Sequence, residues 1–131
     1  CPVYGLGMLA VLALPPMGWL GQVAFGGLAA TAVEYVYHWA GERFLGVRFW
    51  DYAQVPGNLR GRVCLPFALA WGLLAAAALR FVQPGAEILA SEAAPALTYA
   101  CLLVFTMDAI SSLWFLRTTG DLSEMRAAWP F

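Results

Sequence analysis

Read for apolar and polar positions, the chain is a series of long apolar stretches broken at a few well-marked places. Residues 1 to 33 carry no formal charge. Within them Tyr4 to Leu14 is apolar, but it falls short of the roughly 20 residues that a spanning helix needs. Pro15-Pro16 then stops it, which predicts a short membrane helix over about 4–15, a turn at PPMGW and Trp19 at the interface. A second stretch, 20–41, is long enough to span, and its Gly26-Gly27 and Ala29-Ala30 pairs offer small surfaces for close helix contact. Val63 to Leu79 is uncharged, with Arg62 and Arg80 marking its ends, and predicts a span over 63–82; Pro66 falls in its first turn, where a missing N–H costs nothing. Gln83 to Pro95 reads as a polar connector, and 96–116 as the last span, closed by Arg117.

Between the second and third stretches lies the one crowded segment, GVRFWDYAQVPGNLRGRVCLPFALAW from Gly46 to Trp71. It mixes Arg48, Asp51, Arg60 and Arg62 with Phe49, Trp50 and Tyr52 around a Pro56-Gly57-Asn58 turn, as a loop lying on a bilayer surface would. The fold expected is all-α: an integral membrane helical bundle of three spanning helices plus a short N-terminal membrane helix. It forms a single domain over 1–117, with a polar tail over 118–131.

Composition strengthens this picture. The chain is 62% hydrophobic and 11% charged, against about 45–50% and about 25% in soluble globular proteins, so it lacks the residues for a polar skin. A net charge of −1 offers no basic face for nucleic acid, and no nucleic-acid partner is expected. Every Lys or Arg is Arg. Without Lys these 131 residues supply neither a P-loop lysine nor a Schiff base, so if ATP drives the function another chain hydrolyses it. Cys1, Cys64 and Cys101 are widely spaced and form no zinc or disulfide framework. The chain opens on Cys-Pro without a basic leader, which reads as a trimmed or fragmentary start rather than a signal peptide.

Arginine placement sets an orientation. Arg43, Arg48, Arg60 and Arg62 lie in the central loop, Arg117 and Arg126 in the tail, and the 83–95 connector has only Arg80 at its edge. By the positive-inside rule the loop and tail are cytoplasmic and the connector is outside, giving a multi-pass protein of the cell membrane.

Cys1, Pro2, Tyr4, Gly5, Glu34, Tyr35, Glu42, Phe44, Trp50-Asp51-Tyr52, Pro56, Asn58, Gly61, Arg62, Cys64, Leu65, Trp71, Gly72 and Asp108 occur in an order that resembles a bacterial membrane family. That family is labelled Putative ABC-transporter type IV, or ABC-transporter permease. The resemblance runs to about Arg117, and the Trp-Asp-Tyr to Trp-Gly stretch is its most specific part. Family members carry an earlier membrane helix with an acidic residue and an Asn-Arg-Gly segment before the Cys-Pro-Ile-Tyr-Gly motif; both are missing here, as in a truncated chain. What the resemblance implies is a permease-like transport subunit, with a separate ATPase subunit as partner.

Several residues carry candidate chemistry, each with a plainer reading beside it. Glu34, and Asp108 late in the last span, are costly at bilayer depth and mark an ion or substrate path, with Glu42 at its wet end; alternatively they hydrogen-bond helices together. Glu34, His38 and Glu42 follow one helical face at i, i+4, i+8, but a metal needs ligands from elsewhere, and neither metal nor cofactor is expected. Trp50, Asp51, Tyr52, Asn58, Arg60 and Arg62 suit a phosphorylated headgroup or a partner protein; equally they suit a structural cap, with Asp51 and Asn58 holding the turn. No catalytic spacing is present, so a lipid-binding protein or enzyme and an assembly factor stand behind the transport reading. Membrane lipids are expected partners, and a homo-oligomer is left open.

Overall fold

The computed structural model describes residues 2–120; Cys1 and the tail from residue 121 lie outside them. The described residues form five α-helices: α1 (Pro2–Leu12), α2 (Trp19–Ala40), α3 (Leu65–Ala77), α4 (Gln83–Glu92) and α5 (Pro95–Thr119). The expected short first helix is present, and it ends before Pro15-Pro16.

α2 and α3 form the centre of the bundle and run antiparallel. Trp71 of α3 meets Glu34 near the end of α2, whereas Arg80, beyond α3, reaches back to Gln22 near its start. Two glycines bring their backbones together. A Cβ on Gly72 would collide with the carbonyl oxygen of Val23, and one on Gly27 would sit 2.8 Å from the carbonyl oxygen of Ala68. Only hydrogen fits in that crossing, which is how small residues allow helices to approach without a polar seam. α1 packs along α2. At the far end the Arg80 guanidinium lies 5.3 Å from the centre of the Trp19 ring, a cation–π contact of the kind that suits an interface.

Two turns of π-helix interrupt the helical ladder. The first, Gly41–Leu45, extends α2 and is closed by Gly46 in the left-handed conformation. The second, Ala78–Val82, joins α3 to α4, so Leu65–Glu92 is a single apolar helix of 28 residues. This corrects the expected polar connector over 83–95. Gln83 donates its N–H to the carbonyl of Ala78, five residues back. The widened turn comes immediately before Pro84 and absorbs the residue that would otherwise break the helix. The true break is at Ala93-Ala94, where both residues turn extended ahead of Pro95.

Among the described residues two helices are long and apolar enough to cross a membrane, Leu65–Glu92 and Pro95–Thr119. At about 1.5 Å per residue the first reaches about 42 Å, beyond the roughly 30 Å hydrocarbon core. α2 has 22 residues but is more polar, with Gln22, Thr31, Glu34 and His38 along it, and it is not one of the two. The central loop is also not all coil: β1 (Asn58–Leu59) pairs antiparallel with β2 (Val63–Cys64). The turn between them puts Arg60 and Gly61 at positive φ.

Candidate functional site

Two constellations meet where the central loop closes over the ends of α2 and α3. The first is a charge cluster on Glu42. Arg62 gives Nε and Nη2 to Glu42 Oε2 at 2.8 and 2.6 Å, and Arg48 Nε sits 2.9 Å from Oε1. The remaining Arg62 nitrogen, Nη1, donates to the Tyr35 hydroxyl at 2.9 Å, and the guanidinium also lies over the Tyr35 ring. The Arg62 hydrogen bond holds the Glu42 carboxyl below its ordinary 4.5, against the opposing effect of desolvation. Three of the five Arg62 N–H donors are engaged in this way, one on each nitrogen.

The loop is built by the residues that also suited a headgroup clamp. Asp51 Oδ1 accepts from the Ala53 N–H at 2.9 Å, an Asx turn, and Oδ2 meets Arg48 Nη1 at 3.3 Å. Asn58 donates to the carbonyls of Ala53 and Val55 and accepts from the Gly61 N–H, using its amide from both ends. Arg60 occupies the exposed tip of the hairpin at φ 55. Trp50 donates Nε1–H to the carbonyl of Arg62 at 2.8 Å. Asp51, Asn58, Trp50 and Arg62 thus all make contacts that hold the loop in place.

His38, set aside on sequence grounds, is the largest fully buried side chain among the described residues, at 0% exposure. Its Nε2–H donates to the carbonyl of Trp50 at 2.7 Å and so pins the loop onto α2. Nδ1 has no hydrogen-bond partner and lies 3.8 Å from Glu42 Oε2. The sequence did carry a signal: His38 stands one helical turn from both Glu34 and Glu42, on the same face.

The second constellation is a cavity of about 590 Å³ between α1, α2, α3 and the loop. Its wall is apolar, with Val3, Met8, Val11, Leu74 and Ala75, and aromatic, with Tyr4, Trp50, Tyr52, Phe67 and Trp71. Among the described residues one charged group lines it, Glu34, which is 6% exposed. Trp71 Nε1–H donates to Glu34 Oε2 at 3.1 Å and the Tyr52 hydroxyl donates to Oε1 at 3.3 Å. Burial, together with the neighbouring Glu34 carboxylate, pushes the Tyr52 phenol up to about 12, so it remains a donor across the physiological range. Tyr52 is itself stacked on Phe67 at 5.0 Å, and Tyr4 leans on Trp71 at 5.5 Å.

The structure thus brings together Glu34, Tyr52 and Trp50, and separately Glu42 with Arg62 and Arg48. Asp108, expected with Glu34 on an ion or substrate path, does not join either group: it is exposed on α5 and does not line the cavity. Trp71, Tyr4 and Tyr35 are contributors that sequence reasoning did not place in the site. Among the described residues no group of three or more His, Cys, Asp and Glu is gathered closely enough to hold a metal ion.

The family model described as Putative ABC-transporter type IV matches residues 1–113. The chain belongs to that family. The matched stretch covers both constellations, from Tyr4 on α1 to Trp71 on α3, and the first three-quarters of α5. No curated protein and no solved structure matches the chain. Family membership and the two apolar helices fit a membrane protein related to ABC transporters.

Proposed function

We propose that the chain is a permease-like subunit of a membrane transporter, and that its cargo binds in the cavity lined by Glu34. The observation that carries this reading is the buried carboxylate itself. Among the described residues Glu34 has no basic partner: its two hydrogen bonds come from neutral donors. An uncompensated acid in an apolar environment is costly, and within membrane segments such residues mark ion and substrate paths. A cavity of this size is in the range of about 300–1,000 Å³ typical of small-molecule sites.

In this reading α2, the long α3–α4 helix and α5 cross the cell membrane, α1 enters it part-way, and the Arg-rich loop faces the cytoplasm. The driving energy, where it is ATP, comes from a separate ATPase subunit docking on that loop. The alternative of a headgroup-binding protein or lipid enzyme would rely on Asn58, whose two amide N–H groups are taken by loop carbonyls, and on Arg62, which is held by Glu42 and Tyr35. An assembly factor would have no use for a cavity with a buried carboxylate in its wall. Native mass spectrometry on the full-length protein, gently extracted from its own membrane, tests the subunit reading. Co-elution of an ATPase chain is the expected result. A lone chain retaining a phosphorylated lipid would overturn it in favour of the headgroup alternative.

A further inference from the structure

We propose that the cavity selects a hydrophobic organic ammonium ion, its cationic head between the Glu34 carboxylate and the surrounding aromatic rings. The proposal rests on the cavity being the cargo site, and it adds the chemical class of the cargo. Three features converge on it. The first is charge: among the described residues Glu34 is the one charged side chain in the wall, and Tyr52 and Trp71 each occupy a single acceptor position on a different carboxylate oxygen. A carboxylate oxygen accepts two hydrogen bonds, so one position on each stays free for an N–H donor or a close cation.

The second feature is the aromatic shell. Tyr4, Trp50, Tyr52, Phe67 and Trp71 line the same cavity as Glu34, and ring faces attract cations, most strongly when water is excluded. An anion would be repelled by both the carboxylate and the ring faces. A neutral apolar molecule would strip water from Glu34 without replacing its hydration. The third feature is the scarcity of oxygen ligands. A hard metal cation such as Ca²⁺ takes six to eight oxygens, whereas the polar oxygens on side chains in this wall belong to Glu34, Tyr52 and Tyr4. The remaining wall is hydrocarbon, which suits an alkyl or aryl body behind the head.

The test uses one body with three heads. Hexylammonium, hexanol and hexanoate are titrated calorimetrically into the full-length protein in nanodiscs, with empty nanodiscs correcting for partition into lipid. The expected order is hexylammonium at least about tenfold tighter than hexanol, with hexanoate weakest. Glu34→Gln should bring the ammonium down to the alcohol's affinity while the alcohol still binds, and that retained binding reports an intact cavity. Gly7 lines the cavity, and the position of its absent Cβ has nothing within 4 Å, so Gly7→Phe should fill the space and weaken all three. Equal affinity for hexylammonium and hexanol, or a preference that survives Glu34→Gln, would overturn the proposal. If no probe binds while an ATPase chain still co-elutes, the ammonium assignment falls and the subunit reading stands. Selective ammonium binding without any ATPase would do the reverse.

Discussion

Glu42 and Glu34 end up two turns apart with opposite environments, and the difference decides what each can do. Glu42 is compensated by two arginines and held below its ordinary 4.5. A carboxyl lowered in the folded state adds stability above 4.5, and that contribution disappears as the pH falls through its lowered value. Glu42→Gln should therefore lower the melting temperature at neutral pH, and the gap to wild type should narrow as the pH drops below 4.5. A gap independent of pH would show that the ion pairs contribute nothing. For Glu34 the relevant partners are neutral donors. Tyr52→Phe removes a 3.3 Å hydrogen bond to a carboxylate and should cost about 1.5 kcal/mol, the weak end of the range for charged acceptors, read from unfolding in mixed micelles. An unchanged midpoint would count against Tyr52 as a support for Glu34. Glu34 was legible in the sequence because a charge in an apolar stretch stands out. Its partners were not, since Tyr52 and Trp71 lie 18 and 37 residues away and only the folded loop brings them in. Arg62 was legible as important, but its partners Glu42 and Tyr35 were not, since they lie 20 and 27 residues away.

At the level of elements, the α2–α3 crossing depends on two absent side chains. Gly72→Ala would push a methyl into the backbone of Val23, which has no flexible end to yield, and should destabilise by about 1–3 kcal/mol, as overpacking does. Gly5→Ala, on α1 where the added carbon meets nothing within 4 Å, should be neutral or stabilising by up to about 1 kcal/mol through helix propensity. Equal effects of the two substitutions would remove close approach as the reason for Gly72. The small-residue pattern in α2 was readable in advance, as were the stop at Pro15-Pro16 and the last helix up to Arg117. The 83–95 segment was not. Gln83-Pro84-Gly85 has the composition of a turn, but the π-helical turn at Ala78–Val82 re-routes the ladder before Pro84 and lets the helix continue. Periodicity and turn propensity do not register a one-residue change in hydrogen-bond spacing. The hairpin at Asn58–Cys64 was hidden for a similar reason: strands of two residues are too short to show alternation.

For the whole molecule, the decisive property is how little of its apolar surface is covered by its own chain. Leu102, Leu103, Val104, Phe105, Met107 and Ile110 all stand exposed along α5, and so does Cys101. In water that surface would drive association; in a bilayer it is the expected lipid-facing side of a spanning helix. Asp108, exposed among these residues rather than turned to Glu34, then needs a polar neighbour supplied by water, headgroup or a second chain. Cys101 provides the most direct measurement of the membrane claim. Cys1 and Cys64 are replaced by Ala, and intact membranes are treated with a water-soluble maleimide. A second sample carries Arg60→Cys at the exposed hairpin tip in a background that also has Cys101→Ala. The account predicts that Cys101 resists labelling until the membrane is dissolved in denaturing detergent, whereas the Arg60→Cys thiol reacts readily in membranes opened to the reagent on both sides. Labelling of Cys101 in intact membranes at the rate of the hairpin-tip thiol would contradict it, because a residue so exposed in the fold would then be facing water.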